Sequence, residues 1–165
     1  MLVPAIGMQV SDEWNWGPFD FVFAAALLFG ATLVFELVGR SATTAYRTAV
    51  GVAVATAVFL VWINAAVGII GDDEPYNLMY FGVLAIGLAG ALAARLRPQG
   101  MALALVAMAV AQMLVPTIVL AVPDFRGVLA EPPGVLGVFI LNACLAALWL
   151  TSGWLFRRAA AAPPG

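Results

Sequence analysis

Apolar residues gather in five long runs, at 19–39, 47–71, 76–95, 100–122 and 135–156, separated by short polar connections. Each run is about 20 residues or slightly more, the length a helix needs to cross a hydrocarbon core of roughly 30 Å. None shows the roughly ten-residue apolar/polar alternation of a barrel strand. In lipid, backbone groups must be satisfied within the segment, so runs of this kind predict helices. The pattern therefore predicts an all-α protein: a bundle of five transmembrane helices spanning residues 19–158. A mixed N-terminal segment precedes it at 1–18, and a flexible Ala/Pro-rich tail follows at 159–165. Connections at 40–46, 72–75 and 96–99 are short enough to make consecutive helices antiparallel neighbours. The longest connection, 123–134, carries Pro123, Pro132 and Pro133.

Composition agrees with this pattern. The 165 residues are 64% hydrophobic and 10% charged, with a mean hydropathy of +1.05. A soluble domain is roughly 45–50% apolar and about 25% charged. The length suits one compact bundle rather than two domains. Charge placement then orients it. Arg40 and Arg47, Arg95 and Arg97, and Arg157 and Arg158 fall on one side of a five-span chain, leaving only Arg126 on the other. Every acid except Glu36 falls on the side opposite those arginines. The positive-inside rule places the N-terminus outside and the C-terminus in the cytoplasm. An Ala, Gly, Val, Pro and Arg bias without a single Lys suggests a GC-rich bacterial genome, so the membrane expected is a bacterial inner membrane.

The head, 1–18, has no basic residue before its apolar part and does not read as a secretory signal peptide. Trp14 and Trp16 suit a position at headgroup level. Small residues recur at four-residue spacing in Ala26 and Gly30, Gly51 and Ala55, Ala53 and Ala57, Gly87 and Ala91, Gly90 and Ala94, and Ala143 and Ala147. Such pairs let helix backbones approach closely in lipid. A faint echo repeats Phe21, Ala25, Leu28, Gly30 and Ala31 as Phe81, Ala85, Leu88, Gly90 and Ala91, suggesting a repeated hairpin plus one helix.

Candidate chemistry is sparse. With no His and one Cys, Cys144, imidazole-ligated haem, His-based metal sites, His proton shuttling and an internal disulfide are excluded within this chain. Seven basic residues leave no nucleic-acid footprint. Among acids at membrane depth, Glu36 stands one turn before Arg40, a candidate ion pair near a helix end. Asp20 suits the positive first turn of the first helix. The row Asp72, Asp73 and Glu74 reads as a helix start completed by Pro75 rather than as a cation loop. Three amides lie deeper. Asn64 and Asn142 sit roughly 10 Å below the outer surface and Gln112 about 15 Å below it. Each is expected to face inward, as interhelical glue or as the lining of a polar pocket. Trp62 lies near Asn64 in sequence, and Pro116 frees the carbonyl of Gln112, where a kink is expected.

The block Trp62-x-Asn64-x-Ala66-Val67-Gly68-Ile69-Ile70-Gly71, with Asn77-Leu78-Met79-Tyr80, resembles a family of small uncharacterised multi-pass bacterial membrane proteins. The resemblance implies membership and attaches no activity. The residues themselves point to a non-enzymatic membrane protein without a cofactor, working through membrane lipids and through partner subunits or self-association as an accessory or scaffold subunit. The alternative is a small transporter or channel with a polar pocket built on Asn64, Gln112 and Asn142. No nucleophile–base pair suggests an enzyme.

Overall fold

A computed structural model of the chain describes residues 17–39, 43–66, 68–70, 75–122 and 134–161. Five helices account for nearly all of these: α1 Pro18–Gly39, α2 Thr44–Ala66, α3 Met79–Ala93, α4 Pro98–Ala121 and α5 Gly134–Ala161. A 3₁₀ turn, Pro75–Leu78, runs directly into α3. No strand occurs among the described residues. With the 3₁₀ turn counted into α3, all five are long and apolar enough to cross a membrane.

Local chemistry explains the boundaries. Pro18 opens α1 at its first helical position, and the Gly17 backbone N–H donates to Asp20 Oδ2 at 2.7 Å. The acid thus reaches back to the helix start, as in a capping box. Thr43 caps α2, its hydroxyl accepting the Tyr46 N–H at 3.4 Å, so α2 begins at Thr44 rather than 47. It also ends early, at Ala66 rather than 71. Gly68 adopts φ 62°, a left-handed conformation natural to glycine. The next two backbone donors, of Ile69 and Ile70, bond to Asn77 Oδ1 at 3.0 and 3.1 Å. A side-chain oxygen has taken the place of a helical carbonyl.

The α3–α4 connection is tighter than expected. Leu96 N–H donates to Ala91 O and Arg95 N–H to Leu92 O, a Schellman arrangement that ends α3 at Ala93. Its left-handed positions are held by Arg95 (φ 50°) and Leu96 (φ 59°), where glycine is usual. Tyr46 Oη of α2 donates to Leu96 O at 2.7 Å and pins this turn. The Tyr46 ring stands edge-on to Phe156 of α5, with centroids 4.9 Å apart. At the other end of the chain, α5 continues to Ala161, past the expected end at 156. The Arg158 guanidinium stacks on Trp154 at 3.8 Å, one turn away. Ala159, Ala160 and Ala161 favour helix, so the expected flexible tail at 159–165 is helical at its start.

The helices do not pack in chain order. α5 lies against α4 and α2, α3 lies against α4, and α1 lies against α2, giving the spatial order α1–α2–α5–α4–α3. α2 and α3, joined in sequence, touch only slightly. This corrects the expectation that every consecutive pair would be neighbours; α5 occupies that place. Glycine decides the close approaches. A Cβ on Gly87 would collide with Met108, and one on Gly90 with Ala104, so α3 lies directly on the α4 backbone. Gly153 of α5 faces the Ala102 carbonyl, 3.3 Å from where its Cβ would stand. Other small-residue pairs make no such contact: nothing comes within 4 Å of a Cβ on Gly30, and Ala143 and Ala147 face outward. The echo between the first and third helices therefore joins positions with different surroundings, since Gly30 is open and Gly90 is packed.

Candidate functional site

The polar groups at depth converge where α3, α4 and α5 meet. Buried positions on α4 recur as Leu105, Met108, Gln112, Val115 and Val119, and on α5 as Val138, Asn142, Leu145, Trp149, Ser152 and Phe156. This three-to-four spacing places one amide in each facing stripe. Gln112 and Asn142 are both 0% exposed. Gln112 Nε2 donates to Asn142 Oδ1 at 2.8 Å. Asn142 Nδ2 donates to Tyr80 Oη at 3.0 Å and to Val138 O at 2.8 Å, using both amide protons. Trp149 Nε1 donates to Gln112 Oε1 at 3.4 Å. Tyr80, Gln112, Asn142 and Trp149 thus form one chain of hydrogen bonds through three helices, with both amide oxygens paired. Leaving one such group unpaired costs about 1–3 kcal/mol, so the network holds the helices in one rotational setting. One turn beyond Gln112, Pro116 is buried, and α4 remains helical across it.

Asn64 does not join this network. Because α2 ends at Ala66, Asn64 stands in its last turn rather than at the depth of Asn142. Its Nδ2 donates to Asn77 O at 3.1 Å. Its Oδ1 is enclosed and accepts no hydrogen bond among the described residues. Asn64 and Asn77 together fasten the 68–70 segment, and Ile69 and Ile70 insert fully into the core. Trp62 stands elsewhere again, lining a groove between α1 and α2. The five candidates Asn64, Trp62, Gln112, Pro116 and Asn142 therefore divide among three places, and only Gln112, Pro116 and Asn142 share one.

A second interhelical bond lies about one turn from Trp149 towards Tyr46: Ser152 Oγ donates to Ala49 O at 2.7 Å and joins α5 to α2. Tyr80, Trp149, Asn77 and Ser152 carry polar contacts that sequence reasoning did not single out. Trp149 had a readable signal, since it follows Asn142 by seven residues and so shares its helix face. Tyr80 had none of that kind, because its partner is 62 positions away.

Glu36 is exposed on α1; Arg40, and so the expected pair, lies outside the described residues, as do Trp14, Trp16 and the acidic row 72–74. Among the described residues no three His, Cys, Asp or Glu side chains converge as a metal site. Cys144 faces outward from α5. No protein family, curated protein or solved structure matches this chain.

Proposed function

We propose that this chain is a non-enzymatic five-span protein of a bacterial inner membrane, with its N-terminus outside and its C-terminus cytoplasmic, acting as an accessory or scaffold subunit of a larger assembly. The observation that carries the reading is the fate of its deep polar groups. Gln112 and Asn142 spend their hydrogen bonds on each other, on Tyr80 and on Trp149. A transport pocket needs such groups to face a cavity, whereas these are fully enclosed. That favours a part whose helix positions are fixed over a small transporter or channel.

The flank of the bundle supports the same reading. Among the described residues α1 buries only Ala24 and Gly39 and packs chiefly on α2, leaving Phe19, Phe29 and Leu37 outward. Purification of the tagged chain from its native membrane in mild detergent tests this. A stoichiometric partner, or a defined multimer, is expected; migration as a lone chain sinks the scaffold reading. Orientation is checked separately with reporter fusions. A reporter after Gly165 should score as cytoplasmic and one at Asp73 as external.

A further inference from the structure

The contact between α1 and α2 is narrow. It centres on Phe35, whose ring edge lies 3.4 Å from where a Cβ on Gly51 would be. A concavity opens on each side of that contact, and both are lined by Phe35 and Gly51, so they form one seam. The first, of about 500 Å³, is walled by apolar side chains including Leu28, Phe59 and Trp62. Its one hydroxyl, of Thr32, already donates to Leu28 O at 2.8 Å. The second, of about 580 Å³, adds Thr44, Arg47 and Thr48.

Arg47 is set at that polar end by both helices. Its side-chain stem runs past Gly39, 3.5 Å from where a Cβ would stand there. Its guanidinium lies 5.7 Å from the centre of the Phe35 ring. No carboxylate pairs with it among the described residues. A cation thus stands at one end of an apolar trough, and its complement is an anion carrying an apolar tail. From Arg47 to Phe59 the trough runs about 18 Å at 1.5 Å per residue. One leaflet offers roughly 15 Å of hydrocarbon, half of the full core. An acyl chain whose headgroup sits at Arg47 therefore has the reach to fill it.

We infer that the α1–α2 seam holds one anionic glycerophospholipid of the cytoplasmic leaflet, its phosphate against Arg47 and an acyl chain between Phe35 and Phe59. This rests on the reading that the helices cross a bilayer with Arg47 at the cytoplasmic face. The lipid acts as a filler that joins the loosely held α1 to the rest of the bundle.

The test is native mass spectrometry of the full chain in mild detergent, titrated with dioleoylphosphatidylglycerol or dioleoylphosphatidylcholine. The expected result is one phosphatidylglycerol retained per chain, in preference to phosphatidylcholine. Arg47→Gln should weaken retention about fivefold, the loss of one arginine's attraction to an anionic surface. Arg47→Lys should keep most of it. Ala55→Phe, which fills the trough from an exposed position, should abolish retention, and Arg157→Gln, on α5, should not. Circular dichroism confirms that each variant is folded. Equal retention of both lipids, unchanged binding in Arg47→Gln, or a second copy of the chain seated in place of lipid would overturn the inference. Release of the chain from vesicles by alkaline carbonate would instead sink the membrane-spanning reading itself.

Discussion

The α3–α4 and α1–α2 pairs are both hairpins of apolar helices joined by short connections, yet they are held in opposite ways. In the first, glycines bring backbones together, and α4 bonds onward to α5 through Gln112 and Asn142. In the second, glycines meet only side chains, Phe35 at Gly51 and Arg47 at Gly39, and the seam on either side of Phe35 is open. Lipid provides little hydrophobic force between helices, so close packing and interhelical hydrogen bonds decide which pairs are firm. By that standard α2–α5 form a fixed core, tied by the Gln112–Asn142 and Ser152–Ala49 bonds. α1 is an attached element whose position depends on what lies beside it. A scaffold subunit needs both: a rigid body and a surface left for something else.

The sharpest way to break the contrast is to put the same side chain on both hairpins. Gly90→Leu forces a side chain into Ala104 and the α4 backbone. Overpacking of this sort costs about 1–3 kcal/mol and more when backbone must move, so a loss on the order of 3 kcal/mol is expected. Denaturant unfolding in mixed micelles measures it. A change under about 0.5 kcal/mol, the range of an ordinary surface substitution, would mean that α3 does not lie on α4 as described.

Next comes the network. Asn142→Leu removes partners from Gln112 and Tyr80 and leaves the Gln112 amide buried with a donor unspent. The expected cost is about 2 kcal/mol. The double variant Gln112→Leu/Asn142→Leu should be less destabilising than the sum of the two single changes, since it leaves fewer orphaned groups. Strict additivity in the same unfolding assay would show that the two amides act independently. A third, smaller effect concerns the α3–α4 turn. Tyr46→Phe deletes the bond to Leu96 O and should lower stability by about 1 kcal/mol. Part of that loss reflects a turn already holding Arg95 and Leu96 in left-handed conformations.

The sequence pattern revealed the helices more fully than their arrangement. Five apolar runs gave five helices because length and hydropathy alone decide whether a segment can span lipid. The order around the bundle was hidden, because Ala and Gly occur at close-packing spacing in nearly every run, yet among the described glycines Gly87, Gly90, Gly100 and Gly153 closely meet a neighbouring element while Gly30 and Gly82 meet nothing. The end of α2 was hidden for a different reason. Residues 67–71 are as apolar as a helix in sequence, but the N–H groups of Ile69 and Ile70 are taken by one side-chain oxygen of Asn77, eight and seven positions further on. Of the candidate site, the inward turn of Gln112 and Asn142 was legible, since amides avoid lipid. Their partners were not, because Tyr80 and Trp149 look like apolar or interfacial aromatics until the third helix is placed.

The smallest expected effect is the one that most sharpens the comparison. Gly30 of α1 matches Gly90 of α3 in the sequence echo, but nothing lies within 4 Å of a Cβ there. Gly30→Leu should therefore change unfolding free energy by no more than about 0.5 kcal/mol. It should even gain slightly from replacing a helical glycine, which is about 0.5–1 kcal/mol worse than Ala in a helix. If α1 acts alone on this face, the variant should also leave the mass of the purified assembly unchanged. If a partner subunit packs against Gly30 in the membrane, the same substitution should leave the isolated chain stable yet release that partner. Stability of the chain and composition of the assembly, measured on one variant, thus separate a flank that meets only lipid from one that receives another protein.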